Sequence, residues 1–251
     1  MLANNPTKER YTLESIRSLT VEKKKELIHL LDLAELSQAR AGLTKFSAYV
    51  DPPAAHWYRA VHLRKIASLL ERVERGEIRR LIISVPPRHW KSSLASDKFP
   101  AWYLGRNNEN AVILASYSLA LSEKFSRAIR ETITSNQRFH ALFPTVAIKK
   151  DSNRADDWSL LSGFRSSVRA VGVGGGITGH GANIILVDDP IADYEAAQSE
   201  TQRNNLWEWY RQVLRTRLEP QGAIVLIQTR WHEDDLTGWL LNEESEGQEP
   251  N

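Results

Sequence analysis

Three short stretches of this sequence place side chains that could handle a phosphate. The first is Pro86-Pro87-Arg88-His89-Trp90-Lys91-Ser92-Ser93, which follows the apolar run Leu81-Ile82-Ile83 and leads into a segment rich in Ser, Ala and Leu. A lysine and a hydroxyl where a strand gives way to a helix is the setting of a phosphate-binding loop. There, backbone N–H groups and the helix N-terminus cradle phosphates, the ammonium reaches β and γ oxygens, and the hydroxyl binds Mg²⁺. The second stretch is Ile184-Ile185-Leu186-Val187-Asp188-Asp189, an apolar run ending in two adjacent carboxylates. Asp188 is suited to hold Mg²⁺, and Asp189 to orient and deprotonate an attacking water. The third is Gln228-Thr229-Arg230, where Thr229 ends a last apolar run and could sense a γ-phosphate.

Each stretch also has a plainer reading. The formula G-x-x-x-x-G-K-[ST] would put glycines where this sequence has Val85 and Trp90, so the Lys-Ser segment is equally a basic connector between strand and helix. Asp-Asp-Pro is a common turn opening, and a threonine is an ordinary strand terminus. A Lys-Ser loop and an acidic pair, each at the end of its own strand, favour the chemical reading of both.

These side chains must be carried by a regular frame. Leu81–Val85, Ala111–Ser116, Val168–Val171, Asn183–Val187 and Ala223–Gln228 read as strands, with short ones possible near Val146 and Trp158. Helices are predicted over residues 8–43, Ala54–Arg75 with Gly76 as its C-cap, the segment opened by Lys91-Ser92, Leu119–Ser135 and Gln198–Leu218. Phe46–Pro53 and Arg106–Asn110 read as a loop and a turn. Continuous apolar strands separated by helices imply a mainly parallel sheet covered on both faces, an α/β doubly wound architecture. In such a sheet ligands sit at the carboxyl ends of strands, where all three stretches fall.

Length and composition bound the answer. The 251 residues fit one or two domains, and a formal net charge of +2 permits nucleic-acid contact without requiring it. The absence of cysteine excludes disulfides, thiolate zinc sites and a cysteine nucleophile. No apolar run reaches membrane-spanning length, and the first residues lack a signal-peptide core, so a soluble cytoplasmic protein is expected. The last residues, Glu243–Asn251, contain no apolar side chain and read as a linker or a cut end.

Other features carry less. The glycine cluster Gly172–Gly181 precedes a strand, where a dinucleotide fingerprint would follow one, so it reads as a mobile or DNA-facing loop or as a plain connector. The seven histidines form no metal-ligand spacing. Trp207, Trp209 and Tyr210 among Arg203, Arg211, Arg215 and Arg217 could meet nucleic acid, although core packing is the commoner role of such a stripe.

Taken together, residues from about Phe46 to Leu236 resemble the ATPase domain of the large terminase subunit of tailed bacteriophages, the DNA-packaging motor. The resemblance rests on five stretches in the family's order: Gly76–Ile83, Pro86–Ser92, Gly174–Ala182, Asp188–Ile191 and Thr229–Leu236. It implies an ASCE-type P-loop NTPase fold, with a helical lead-in over 1–45, the ATPase domain over 46–240, and a linker or truncated end over 241–251. It further implies that ATP and Mg²⁺ are bound by a Walker A loop of Pro87, Arg88, His89, Trp90, Lys91, Ser92 and Ser93. Asp188 becomes the Walker B metal ligand, Asp189 the catalytic carboxylate, Arg88 the phosphate-loop arginine and Thr229 part of a coupling motif. Phe46 and Tyr49 fall where the family places its adenine-side segment.

The implied partners are double-stranded DNA, a portal protein and the small terminase subunit, in the cytoplasm of a bacterial host. A ring of copies on the portal is expected, with a monomer in isolation and an arginine from a neighbouring copy completing the site. The family's C-terminal nuclease lies beyond this chain, so no nuclease activity is expected. One departure stands out: Trp90 occupies the position of the family's glycine before the lysine, where an indole would block the phosphate pocket or force the loop into another shape. Weakened ATP binding with the fold intact is expected, the alternative being that the loop turns the indole outward and activity survives. Two rival readings remain: a helicase-like DNA translocase, and a non-catalytic DNA- or portal-binding module whose ATP site Trp90 has closed.

Overall fold

Aliphatic and β-branched runs build one six-stranded sheet: β1 (Arg80–Ser84), β2 (Val112–Ser116), β3 (Asp157–Trp158), β4 (Val168–Gly172), β5 (Ala182–Asp188) and β6 (Leu218–Gln228). A computed structural model of the protein describes residues 16–152, 154–163 and 167–245. The strand order is β1-β6-β5-β2-β4-β3, and every pairing is parallel except that of β3 with β4. The fold is thus mixed α/β with a mostly parallel sheet flanked by helices.

The helices are α1 (Val21–Ala41), α2 (Leu43–Val50), α3 (Val61–Glu74), α4 (Phe99–Arg106), α5 (Leu119–Ser135), α6 (Gln137–Leu142), α7 (Tyr194–Gln198), α8 (Glu200–Trp209) and α9 (Leu236–Ser245). On one face of the sheet, Leu206, Trp207, Trp209, Tyr210, Leu214 and Leu236 pack with Ile113, Ala115, Ile185, Val187, Ile224 and Leu226. The alternate residues Val112, Leu114, Ile184 and Leu186 are equally buried, and α5 packs against β2 and β4. Covering on both faces is why these strands are continuous apolar runs with no polar alternation.

Register sets the positions of the strand ends. Ser84 pairs with Gln228, Asp188 with Ile227, and Ser116 with Asp188, so the carboxyl tips of β1, β6, β5 and β2 lie side by side. Side chains on these tips are therefore neighbours, however far apart they stand in sequence.

The residues divide into two compact units between Gln38 and Ala39, inside α1. In the first, Val21, Ile28, Leu30, Leu31 and Leu33 are exposed. The predicted helix over 8–43 begins in part outside the described residues; its described portion includes α1, with the Lys23 N–H donating to Thr20 Oγ1 at 3.4 Å. Among the described residues no helix is long and apolar enough to cross a membrane.

Several predicted boundaries are corrected. Phe46–Pro53 is not a loop: Leu43, Phe46, Ser47 and Val50 are the buried positions of α2, one stripe at helical spacing that ends just before Pro52-Pro53. The helix predicted from Ala54 instead begins at Val61, after two 3₁₀ turns at Pro52–Ala54 and Trp57–Arg59. Its end is as predicted: Gly76 has φ +74°, its N–H bonds the Val73 carbonyl at 3.0 Å, and the Glu77 N–H bonds Arg72 at 2.9 Å, a Schellman closure. The helix predicted over Gln198–Leu218 is divided: α7 and α8 meet at Ser199, a π-helical turn covers Tyr210–Leu214, and Leu218 already belongs to β6. Helix α9 runs to Ser245, so the predicted end segment is in part helical and in part outside the described residues.

Candidate functional site

The tips of β1, β6 and β5 bring Lys91, Ser92, Asp188, Asp189 and Thr229 into one hydrogen-bonded group. Lys91 is 6% exposed, and its ammonium donates to Asp189 Oδ2 at 2.9 Å and to Thr229 Oγ1 at 3.2 Å. Ser92 Oγ donates to Asp188 Oδ1 at 3.0 Å. The Thr229 N–H donates to Asp189 Oδ1 at 3.0 Å, and its hydroxyl lies 3.4 Å from the Val85 carbonyl. Thr229 thereby ties the loop after β1 to the acidic pair after β5.

Asp188 is buried at 2% exposure. Burial pushes its carboxyl up to about 6, opposed by the hydrogen bonds from Ser96 and Ser92. Ser96, at 2.6 Å from Asp188 Oδ2, is a site residue that sequence reasoning missed. Its signal is the spacing: Ser92 and Ser96 stand four apart and share a helix face. Lys91 and Ser92 open this helix, whose next stretch, Ser93–Lys98, is π-helical before α4 begins.

The loop between β1 and Lys91 is strained. Arg88 has φ +63° and Trp90 φ +60°, a left-handed backbone that side chains other than glycine rarely adopt. Such positions raise the free energy by about 1–3 kcal/mol each and cluster at functional sites. His89 between them has no positive φ, so the sign alternates along Arg88-His89-Trp90. Alternating φ signs are a requirement of the αR–αL nests in which successive N–H groups cradle an anion. The helix that follows closes with the Leu94 N–H on the Trp90 carbonyl at 3.1 Å.

Trp90 therefore sits where backbone freedom is needed, at the position where the formula has glycine. Its indole stacks on Trp57, with centroids 5.4 Å apart and planes at 19°, and meets Tyr58 edge-on at 6.3 Å. The indole rests on aromatic partners from the turn Trp57–Arg59. His89 Nδ1 lies 2.9 Å from the Pro87 carbonyl, and the His89 carbonyl lies 3.2 Å from His62 Nε2. Pro87 and Arg88 are exposed, and Ser93 is half-buried next to Ser92.

Phe46 and Tyr49 do not join this group. Phe46 is fully buried against Phe139 and Phe143, so an adenine-side role for it is corrected to core packing. Tyr49 lies under the Arg138 guanidinium at 5.4 Å, and its carbonyl accepts from Arg138 at 3.0 Å. Trp207, Trp209 and Tyr210 are buried in the core, as the commoner reading had it. The glycine-rich stretch is anchored: Trp209 Nε1 donates to the Gly175 carbonyl at 2.8 Å, and Ile177 is 1% exposed.

The donor set at the strand tips suits a hard cation with few protein ligands. Ser92 and Asp188 offer oxygen only, and among the described residues no group of three or more acidic, His or Cys side chains is gathered for a metal. The larger cavities lie elsewhere. One of about 240 Å³ is lined by Arg80, Ile82, Tyr210 and Leu226 among others, and one of about 410 Å³ by Asp51, Asp97, Lys98 and Glu131 among others. Neither includes Lys91, Asp188 or Asp189; a small cavity of about 10 Å³ is lined by Asp189 and Thr229 among others.

Comparison with known families matches residues 82–249 to the model described as terminase large subunit, T4likevirus-type, N-terminal. The search of curated proteins gives no match.

Proposed function

The chain belongs to the family of terminase large subunits of T4-like-virus type, N-terminal part, and on that premise we propose that it is an ATP-hydrolysing motor domain that drives double-stranded DNA into a viral prohead. The observation that carries this reading is the convergence of Lys91, Ser92, Asp188, Asp189 and Thr229 on the tips of three adjacent parallel strands. The strand order supports an ASCE-type P-loop NTPase fold: β6 stands between β1, which feeds the Lys-Ser loop, and β5, which ends in the acidic pair.

In this reading the alternating backbone at Arg88–Trp90 and the helix N-terminus at Lys91 receive the β- and γ-phosphates. Lys91 leaves its ion pair with Asp189 to meet phosphate oxygens, a short move for an ammonium on a flexible stem. Asp189, released from Lys91, accepts the proton of the attacking water in line with the γ-phosphorus. Asp188 and Ser92 would hold Mg²⁺, with Ser96 fixing the second carboxylate oxygen. When bound, the cation neutralises charge building on the phosphate oxygens. Thr229 touches both Lys91 and Asp189, so a change at the γ-position reaches β6 and the segment that follows it. That segment is braced by Arg230, which pairs with the buried Asp235 at 2.9 Å.

The portal and the small terminase subunit are the expected protein partners, with copies of the chain in a ring and an arginine from the neighbour completing each site. The test is equilibrium binding of a fluorescent ATP analogue with Mg²⁺, beside steady-state phosphate release, for the chain and for Lys91→Ala. Binding that is weakened at least tenfold by Lys91→Ala supports the motor reading, even if turnover is slow without a neighbour's arginine. If the unaltered chain binds no nucleotide, the reading passes to a non-catalytic DNA- or portal-binding module.

A further inference from the structure

We propose that Trp57 is a positioning residue for the Lys-Ser loop: its indole, stacked on Trp90, holds the left-handed turn that delivers Lys91. The functional consequence rests on the nucleotide site proposed above; the structural claim does not.

Trp90 must adopt φ +60° for the chain to pass from the loop into the helix at Lys91. Glycine would do so without strain, whereas an indole is driven back toward an ordinary backbone unless something outside the loop holds it. The element that does so is the 3₁₀ turn Trp57–Arg59 with the start of α3. Trp57 lies nearly parallel to Trp90 at 5.4 Å, while Tyr58, 1% exposed, roots the same turn in the core and meets the Trp90 ring at 6.3 Å. His56 packs against Trp57 at 4.6 Å. One helical turn on, His62 reaches the His89 carbonyl at 3.2 Å. The loop is thus gripped at two successive residues, His89 and Trp90, by a segment that makes no hydrogen bond to Lys91, Asp188, Asp189 or Thr229 among the described residues. Trp57 itself is 46% exposed, so its removal deletes a loop contact and leaves the core intact.

The stack and the strain belong together. If the stack exists to hold the strain, then removing the strain should make the stack dispensable. A double-mutant cycle reads that coupling directly. The four proteins are the parent chain, Trp57→Ala, Trp90→Gly and the double variant, with Trp57→Phe as the conservative replacement. Two properties are measured in each. The first is amide exchange of Leu94 without nucleotide, since its N–H bonds the Trp90 carbonyl in the first helical turn. The second is affinity for the Mg²⁺-bound ATP analogue.

Trp57→Ala is expected to speed Leu94 exchange and to weaken analogue binding by roughly two- to tenfold each, the range of an aromatic pair. Trp57→Phe should recover most of both. In the Trp90→Gly background, Trp57→Ala should change either property by less than about twofold. The proposal is overturned if Trp57→Ala leaves Leu94 exchange as in the parent, or speeds it equally when Trp90 is already glycine. If exchange follows the cycle while no variant binds nucleotide, Trp57 keeps its positioning role and the nucleotide site is what fails.

Discussion

Two loops leave the carboxyl ends of parallel strands in this sheet, and they reach left-handed backbone by opposite means. The stretch after β4 uses glycine: Gly174 at φ +81° and Gly179 at φ +75°, each with nothing within 4 Å of where a Cβ would stand. The loop after β1 uses Arg88 and Trp90 at φ +63° and +60°. In the glycine stretch the conformation is relaxed, and anchoring falls to Trp209 on the Gly175 carbonyl and to buried Ile177. In the Lys-Ser loop the conformation is strained and is held by aromatic stacking and histidine contacts. The chemistry-bearing side chains sit beside the strained loop. Glycine content therefore does not mark the site here; among the described residues, Arg88, Trp90 and Asp189 at φ +43° bring left-handed backbone without glycine to it, and Gln221 at φ +69° lies away from it.

The largest expected effect separates the two loops by function. Asp189→Asn keeps an oxygen to accept the Thr229 N–H, but it removes the carboxylate that pairs with Lys91 and would take a proton from water. ATP hydrolysis should fall by roughly 10²-fold or more, with analogue binding retained. Gly174→Ala, in the other loop, should leave hydrolysis within about twofold. Similar losses from both changes in a steady-state assay would erase the distinction.

A second contrast lies in what anchors each loop. Trp209→Ala removes a buried indole and the hydrogen bond to Gly175 together, and should lower unfolding free energy by about 3–5 kcal/mol. Trp209→Phe should restore most of the packing and leave a deficit of about 1 kcal/mol from the unpaired carbonyl. Denaturant midpoints at constant slope would measure both.

Next in size is the buried carboxylate at the tip of β5, which has no counterpart in the glycine stretch. Burial raises the carboxyl of Asp188 from an ordinary 3.8 to about 6. An acid whose folded value lies above its unfolded one binds protons more readily when folded, so its contribution to stability falls as pH rises from about 4 to about 6 and stays low above that. Asp188→Asn removes this penalty. In metal-free buffer it should stabilise the protein by on the order of 2–3 kcal/mol at pH 8, a gain that vanishes below about pH 4. Thermal melts across that range would show it, and a loss of stability at pH 8 would contradict a desolvated carboxylate at this position.

Much of this was legible in the sequence, for identifiable reasons. Strands β2 and β5, and β6 from Ala223 onward, are buried on both faces, so each contains a continuous apolar run, while the edge strand β1 is mostly half-buried. Asp188, Asp189 and Thr229 stand out because polar residues ending such runs are conspicuous, and Lys91 because it opens a helix with Ser92 after one. Their mutual contacts were not legible, because strand order and register bring Asp188 beside Ile227 and Ser84 beside Gln228. Helix α2 was missed because Pro52-Pro53 outweighed the buried stripe of Leu43, Phe46, Ser47 and Val50; the adenine-side role of Phe46 came from the family resemblance alone, and Phe46 is buried in the core. The Trp57–Trp90 stack left no local signal, since the helix predicted from Ala54 takes in Trp57 and the two residues are separated in the chain by α3 and β1.

The smallest expected effect concerns glycine itself. Gly174→Ala meets no atom, so only the backbone penalty applies, and stability should drop by about 1 kcal/mol. Gly172→Ala is different, because its Cβ would stand 2.7 Å from the Leu119 backbone nitrogen; that clash should raise the loss to about 2 kcal/mol or more. In the Lys-Ser loop the reverse exchange, Trp90→Gly, relieves a left-handed penalty of about 1–2 kcal/mol. It also gives up an aromatic pair worth about 0.5–1.5 kcal/mol and adds freedom to the unfolded chain. These contributions nearly cancel, so Trp90→Gly should change the denaturant midpoint by less than the equivalent of about 1 kcal/mol. A loss of 3 kcal/mol would mean that the indole carries more of the fold than its contacts with Trp57 and Tyr58 account for. A gain of that size would mean that the stack does not offset the strain, and that natural glycine-like freedom at position 90 is compatible with this loop at no structural loss.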